Sequence, residues 1–65
     1  MDKEKEAQIK HLEDLLDIYA DSQDYMTYYE VSTNPNISRK GRAENVKLYR
    51  QKRDEAREQI IRLFL

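Results

Sequence analysis

The chain has 65 residues, with 12 Lys and Arg against 13 Asp and Glu, one glycine, one proline and no cysteine. A chain of this length makes one small domain, 1–65, that buries only ~60% of the surface its unfolded form exposes. Without cysteine, neither a disulfide framework nor a thiolate metal site can staple it, and a composition so rich in charge and so poor in turn formers describes helices rather than a β protein or a flexible tail.

The opening MDKEKEAQIK has no apolar core and does not read as a signal peptide. Nowhere do the roughly 18 apolar residues of a membrane-spanning helix run together. The expectation is a soluble, cytoplasmic protein with no membrane partner.

The first predicted element is a helix over about 3–32. Its apolar period is Ile9, Leu12, Leu16, Tyr19, Met26, in steps of three and four that pass through Gln23. A second seam, Leu15, Ile18, Tyr25 and Tyr29, runs beside the first, with His11 and Ser22 in phase. At ~100° per residue the two seams together cover roughly 200° of the helix. The stretch DSQD at 21–24 offers a cap for a new helix, but the period crosses it without a phase jump, which favours one continuous helix.

Four aspartates, Asp14, Asp17, Asp21 and Asp24, follow the same three–four alternation on the side opposite the first seam, in line with Lys10 and Tyr28. Aspartate suits a helix interior poorly because its short carboxylate competes for backbone hydrogen bonds. A solvated face is the simplest account of the row. Glutamate would serve solubility equally well, however, and favours the helix by a few tenths of a kcal/mol per residue. The row can instead dock on a basic partner, where such charges set orientation and on-rate. A straight helical row cannot wrap a cation as a calcium loop does, so no metal is expected.

The turn falls at 33–38. Asn34 is suited to the left-handed conformation that ends a helix, and Pro35 prevents continuation. Ser38 is the better cap for the second helix, with Asn36 as the alternative.

That second helix is expected over about 39–64, with a seam of Val46, Tyr49, Ala56, Ile60 and Leu63 that passes through Arg53. Two helices of similar length joined by a short connection form an antiparallel hairpin with coiled-coil-like packing. The expected register sets Leu63 against Ile9, Ile60 against Leu12, Ala56 against Leu16 and Val46 against Met26. Gln23 then faces Tyr49, and Arg53 lies near Tyr19, in adjacent polar layers that fix the register. The flank of helix 2 facing the second seam is Leu48, Lys52, Glu55 and Gln59, mostly polar. One partner helix therefore cannot cover helix 1, which leaves Leu15, Ile18, Tyr25 and Tyr29 as a dimer face or a docking face for another protein.

Charge divides between the halves. Residues 1–30 carry nine acids and three lysines, a net of −6, while residues 31–65 carry nine bases and four acids, a net of +5. Arg39, Lys40 and Arg42 start helix 2, where the helix dipole disfavours positive charge by ~0.3–1 kcal/mol each. Compensation by Asp21, Asp24 and Glu30 across the hairpin is the first expectation. A phosphate partner held by Arg39, Lys40, Arg42 and Lys47 is the second, and the pI near 5.8 weighs against it.

Catalysis finds little to work with. His11 is the single histidine, Gly41 the single glycine, and Ser22, Ser32 and Ser38 have no base nearby in the expected hairpin. The sequence therefore predicts an all-α helical hairpin that dimerises into a four-helix bundle, binds no cofactor and is not an enzyme. Its expected role is a small regulator, inhibitor or chaperone that binds an unidentified protein through the tyrosine-rich flank and the aspartate stripe. The alternative is a nucleic-acid-binding dimer that uses the basic turn end.

Overall fold

The computed structural model describes residues 2–65, which form two helices, α1 over Lys3–Val31 and α2 over Arg39–Leu63. The helices pack antiparallel along their whole length, as the hairpin expectation requires. Asp2 caps α1, its carboxylate accepting from the Glu4 N–H at 3.0 Å, and Glu4 and Glu6 in the first turn suit the positive end of the helix dipole. α1 runs unbroken through 21–24.

The helix ends differently from expectation. Asn34 does not take the left-handed conformation, and no described residue has a positive φ. Instead Ser32 leaves the helix extended, at φ −66° and ψ 133°, and its hydroxyl accepts from the Asn34 N–H at 3.2 Å. Asn34 then opens a β-turn with Pro35 in second position: the Ile37 N–H donates to the Asn34 carbonyl at 3.1 Å. The Asn34 side chain accepts from the Asn36 N–H at 3.0 Å, which locks the turn locally. Because Ser32 supplies an acceptor one step earlier, the chain has no need of a left-handed residue.

Ser38 caps α2, and its hydroxyl accepts from the Gly41 N–H at 2.9 Å. This contact explains the single glycine. A β-carbon at Gly41 would sit 3.0 Å from that hydroxyl, so a larger residue has to disturb the cap. Asn45 adds a hydrogen bond from its side-chain amide to the Gly41 carbonyl at 2.8 Å.

The packing seam is rotated from the expected one. Leu15 (4% exposed), Ser22 and Met26 are the buried residues of α1, with Leu12, Tyr19 and Tyr29 half-buried beside them. Leu16, expected in the core, is 48% exposed, and Ile9 is 46% exposed. The true interface, at 12, 15, 19, 22, 26 and 29, keeps the three–four spacing but is centred between the two candidate seams. Small side chains decide the choice, because helix axes approach most closely where the contact residues are small. Ser22 is accordingly buried in the seam, as Ala56 is on α2, while the longer Gln23 keeps a partly wet position at the edge.

On α2 the interface follows the expected line, with Ala56 buried and Val46, Tyr49, Arg53 and Ile60 half-buried. Near the turn the pairing is shifted from the expected register, whereas toward the open end Ile9 and Leu63 border one cleft, as expected. Tyr49 stacks on Tyr25 and Tyr29 rather than facing Gln23, and Arg53 reaches Gln23 and Met26 rather than Tyr19. The polar pair expected in adjacent layers thus meets directly: the Arg53 Nη1 donates to Gln23 Oε1 at 2.9 Å.

The resulting molecule is a rod, 51 × 19 × 12 Å, with a radius of gyration of 15.3 Å. A compact fold of this chain length has a radius near ~11 Å. Its accessible surface is 5490 Å², against about 4,400 Å² for a folded monomer of this mass. Among the described residues only Leu15, Met26 and Ala56 are buried apolar side chains.

Candidate functional site

Four surfaces distinguish this hairpin, and each follows from where the helical period meets the rotated seam. The first is aromatic. Tyr25 and Tyr49 stack with centroids 5.0 Å apart, Tyr29 and Tyr49 at 6.0 Å, and Tyr28 meets Tyr29 edge-on at 5.2 Å. The Lys52 ammonium lies 5.5 Å from the centre of the Tyr49 ring, a cation–π contact that holds the cluster's rim. Ile18 and Leu48 extend the same side as half-exposed apolar residues.

Of the residues read from the sequence as one flank, the structure therefore separates two pairs. Ile18 and Tyr25 are open to solvent, whereas Leu15 lies between the helices and Tyr29 is half-buried against Tyr49. Leu15 belongs to the hairpin core, because the rotation of the seam brings it under α2. Lys52 was expected on the flank of helix 2 facing this seam, whereas Tyr49 was expected in the core and Tyr28 on the aspartate line, so neither was read as a member of this surface.

The second surface is the aspartate stripe. Asp14, Asp17, Asp21 and Asp24 are all exposed on the side of α1 away from α2. Asp14 pairs with Lys10 at 3.6 Å, and the other three form no ion pair among the described residues.

The third is the basic start of α2. The expected compensation by Asp21 and Asp24 is absent, because their carboxylates point outward from the hairpin. Glu30 alone reaches across, to Arg50 at 3.8 Å. Arg39, Lys40, Arg42 and Lys47 make no ion pair among the described residues, and the buried Nε of Arg42 has no hydrogen-bond partner.

The fourth surface was not read from the sequence at all. At the open end of the hairpin, Ile9, Ile61, Leu63, Phe64 and Leu65 remain exposed, with Phe64 at 74%, and Leu16 is exposed about two turns beyond Ile9 on the same side of α1. Ile9, Leu12, Leu63 and Phe64, with Lys5 and Gln8, border an open cleft of about 420 Å³. The signal was present in the closing IIRLFL: five of its six residues are apolar, more than one helix face can turn toward a single partner.

The chain matches no protein-family model, no curated protein and no solved structure. Among the described residues, no helix is long and apolar enough to cross a membrane.

Proposed function

We propose that the chain is a non-enzymatic protein–protein interaction module, a small regulator, inhibitor or chaperone, whose hairpins pair into a four-helix bundle. The observation that supports this reading most is the surplus of apolar surface. Among the described residues, eleven large apolar or aromatic side chains stay exposed around a core of three, and where such residues form a contiguous patch they mark interaction sites. Ile18, Tyr25 and Tyr28 offer an aromatic surface to a partner, since a tyrosine ring is apolar while its hydroxyl tolerates water. The adjoining carboxylates of Asp14, Asp17, Asp21 and Asp24 orient that partner, which is basic where it meets α1.

Site-specific photocrosslinking tests this reading. A benzophenone amino acid replaces Tyr25, and a control carries it at Arg57. A hetero-adduct from Tyr25 that weakens when Asp17→Asn and Asp21→Asn are combined is the expected result. No hetero-adduct at Tyr25 retires the reading, and an adduct indifferent to the two substitutions reduces the stripe to solvated surface.

A second reading has one observation in its favour. The unpaired charges of Arg39, Lys40, Arg42 and Lys47 suit phosphate, so a nucleic-acid-binding dimer is the competing proposal. It requires retention on RNA or DNA that falls steeply with salt. No shift at low salt with tens of micromolar protein (roughly the weak end of non-specific binding) removes it.

A further inference from the structure

The two long edges of the hairpin are built differently. On one edge the positions at seven-residue spacing on α1 are Ile9, Leu16, Gln23 and Glu30, and those on α2 are Arg50, Arg57 and Phe64, with Ile61 alongside. The half of this edge near the turn is fastened by polar bonds, Glu30 to Arg50 at 3.8 Å and Gln23 to Arg53 at 2.9 Å. Among the described residues, the half toward the open end has no such bond across the helices, and Ile9, Leu16, Ile61 and Phe64 on it are exposed between 43% and 74%. The opposite edge carries Ile18, Tyr25 and the stacked tyrosines.

We infer that a second copy of this chain covers the Ile9, Leu16, Ile61 and Phe64 surface through a two-fold axis that passes through it, leaving the tyrosine edge free for a different protein. This rests on the reading that the hairpin associates at all, and it assigns the two edges to two occupants.

Charge makes the assignment. An isologous contact places each patch against its own copy. Helical spacing puts Asp14 and Asp21 beside Ile18 and Tyr25, with Asp17 and Asp24 next to them. Pairing through the tyrosine edge would bring two rows of four aspartates together, with Lys52 and the Asp14-paired Lys10 as the cations beside them, and this excess of like charge opposes association. The rim of the open-end surface instead holds Lys5, Glu13, Asp54 and Arg57, both signs together, which is compatible with self-pairing. Area agrees. Taken over the whole rod, the excess over a compact monomer is about 1,100 Å², which accommodates one side of a standard interface, about 800 Å².

The test is an isotope-filtered NOE measurement on the wild-type chain, with labelled and unlabelled copies mixed. Intermolecular NOEs to the methyls of Ile9, Leu16 and Ile61 and to the Phe64 ring are expected, with none to Ile18 or Tyr25. In parallel, L16E combined with I61E should weaken the dimer at least about 100-fold, while I18E combined with Y25E leaves it intact. If the first pair of changes unfolds the chain, the wild-type NOEs still decide. Intermolecular NOEs at Ile18 and Tyr25 overturn the inference and remove the tyrosine edge from the interaction reading as well. A folded monomer at millimolar concentration overturns the inference together with the four-helix bundle, but leaves the tyrosine edge open to a different protein, so the interaction reading of that edge stands.

Discussion

Among the described residues, the Arg53–Gln23 hydrogen bond is the one side-chain hydrogen bond from nitrogen to oxygen that joins the two helices, and it predicts a particular pattern of energies. The Arg53 side chain is only 23% exposed. Its Nη1 serves Gln23 Oε1 at 2.9 Å and the Met26 sulfur at 3.8 Å, while Nε and Nη2 hold Asp54 Oδ1 on its own helix. Arg53→Met strands a partly buried amide oxygen and removes a charge-assisted bond. Discounted for the water that still reaches the site, that costs about 1–2 kcal/mol. Gln23→Leu leaves the guanidinium without its acceptor and costs about 1 kcal/mol. Removing both partners replaces the pair by apolar contact, and the double variant should come within about 0.5 kcal/mol of the parent or exceed it. The coupling energy is therefore about 1.5–3 kcal/mol, of the size that touching residues show. Urea unfolding followed by circular dichroism reads it, with all four proteins at one concentration because association shifts apparent stability. On heating, each single change should lower Tm by roughly 4–8 °C per kcal/mol. Additive costs, with the double variant as weak as the sum of the singles, would refute the argument that Arg53 and Gln23 act on each other.

Two further predictions concern the turn and the tyrosines. Gly41→Ala should change stability by less than about 1 kcal/mol, because the helix-propensity gain is offset by the 3.0 Å approach to the Ser38 hydroxyl. In a Ser38→Ala background the same change should stabilise by about 0.5–1 kcal/mol, and equal gains in both backgrounds would contradict the steric account. Tyr49→Ala removes stacking on both Tyr25 and Tyr29 and should cost roughly 1–3 kcal/mol at ~0.5–1.5 per ring pair. Tyr49→Phe should be nearly neutral, since the Tyr49 hydroxyl makes no hydrogen bond among the described residues. A phenylalanine variant as unstable as the alanine one would place the energy in the hydroxyl rather than the ring.

The helix boundaries were legible because their chemistry is local. Pro35 cannot continue a helix and Ser38 can start one, so the expected 39–64 lies within one residue of Arg39–Leu63. The rotation of the seam was not legible, because the two candidate seams of α1 share the same three–four spacing and run side by side. Choosing between them depends on which residues of α2 lie opposite, and that is a non-local fact: Ser22 fits where Gln23 does not, and Tyr49 draws Tyr25 and Tyr29 to one side. The shifted pairing near the turn has the same origin. The outward direction of the aspartates followed from periodicity alone. That direction also denied them the partners at Arg39, Lys40 and Arg42 that a charge count by halves suggested, since net charge per segment carries no information about facing. The open-end surface was visible as IIRLFL but required counting apolar residues against available partner faces.

The central claim is that this hairpin buries too little apolar surface alone and closes it by association with a second copy. Sedimentation equilibrium over a wide concentration range, at low and at high salt, tests that most directly. The account predicts a dimer that persists at high salt, because the covering contacts are apolar and salt screens only the exposed charges. A fully helical monomer at every concentration, with an unfolding transition that does not move with protein concentration, would contradict it.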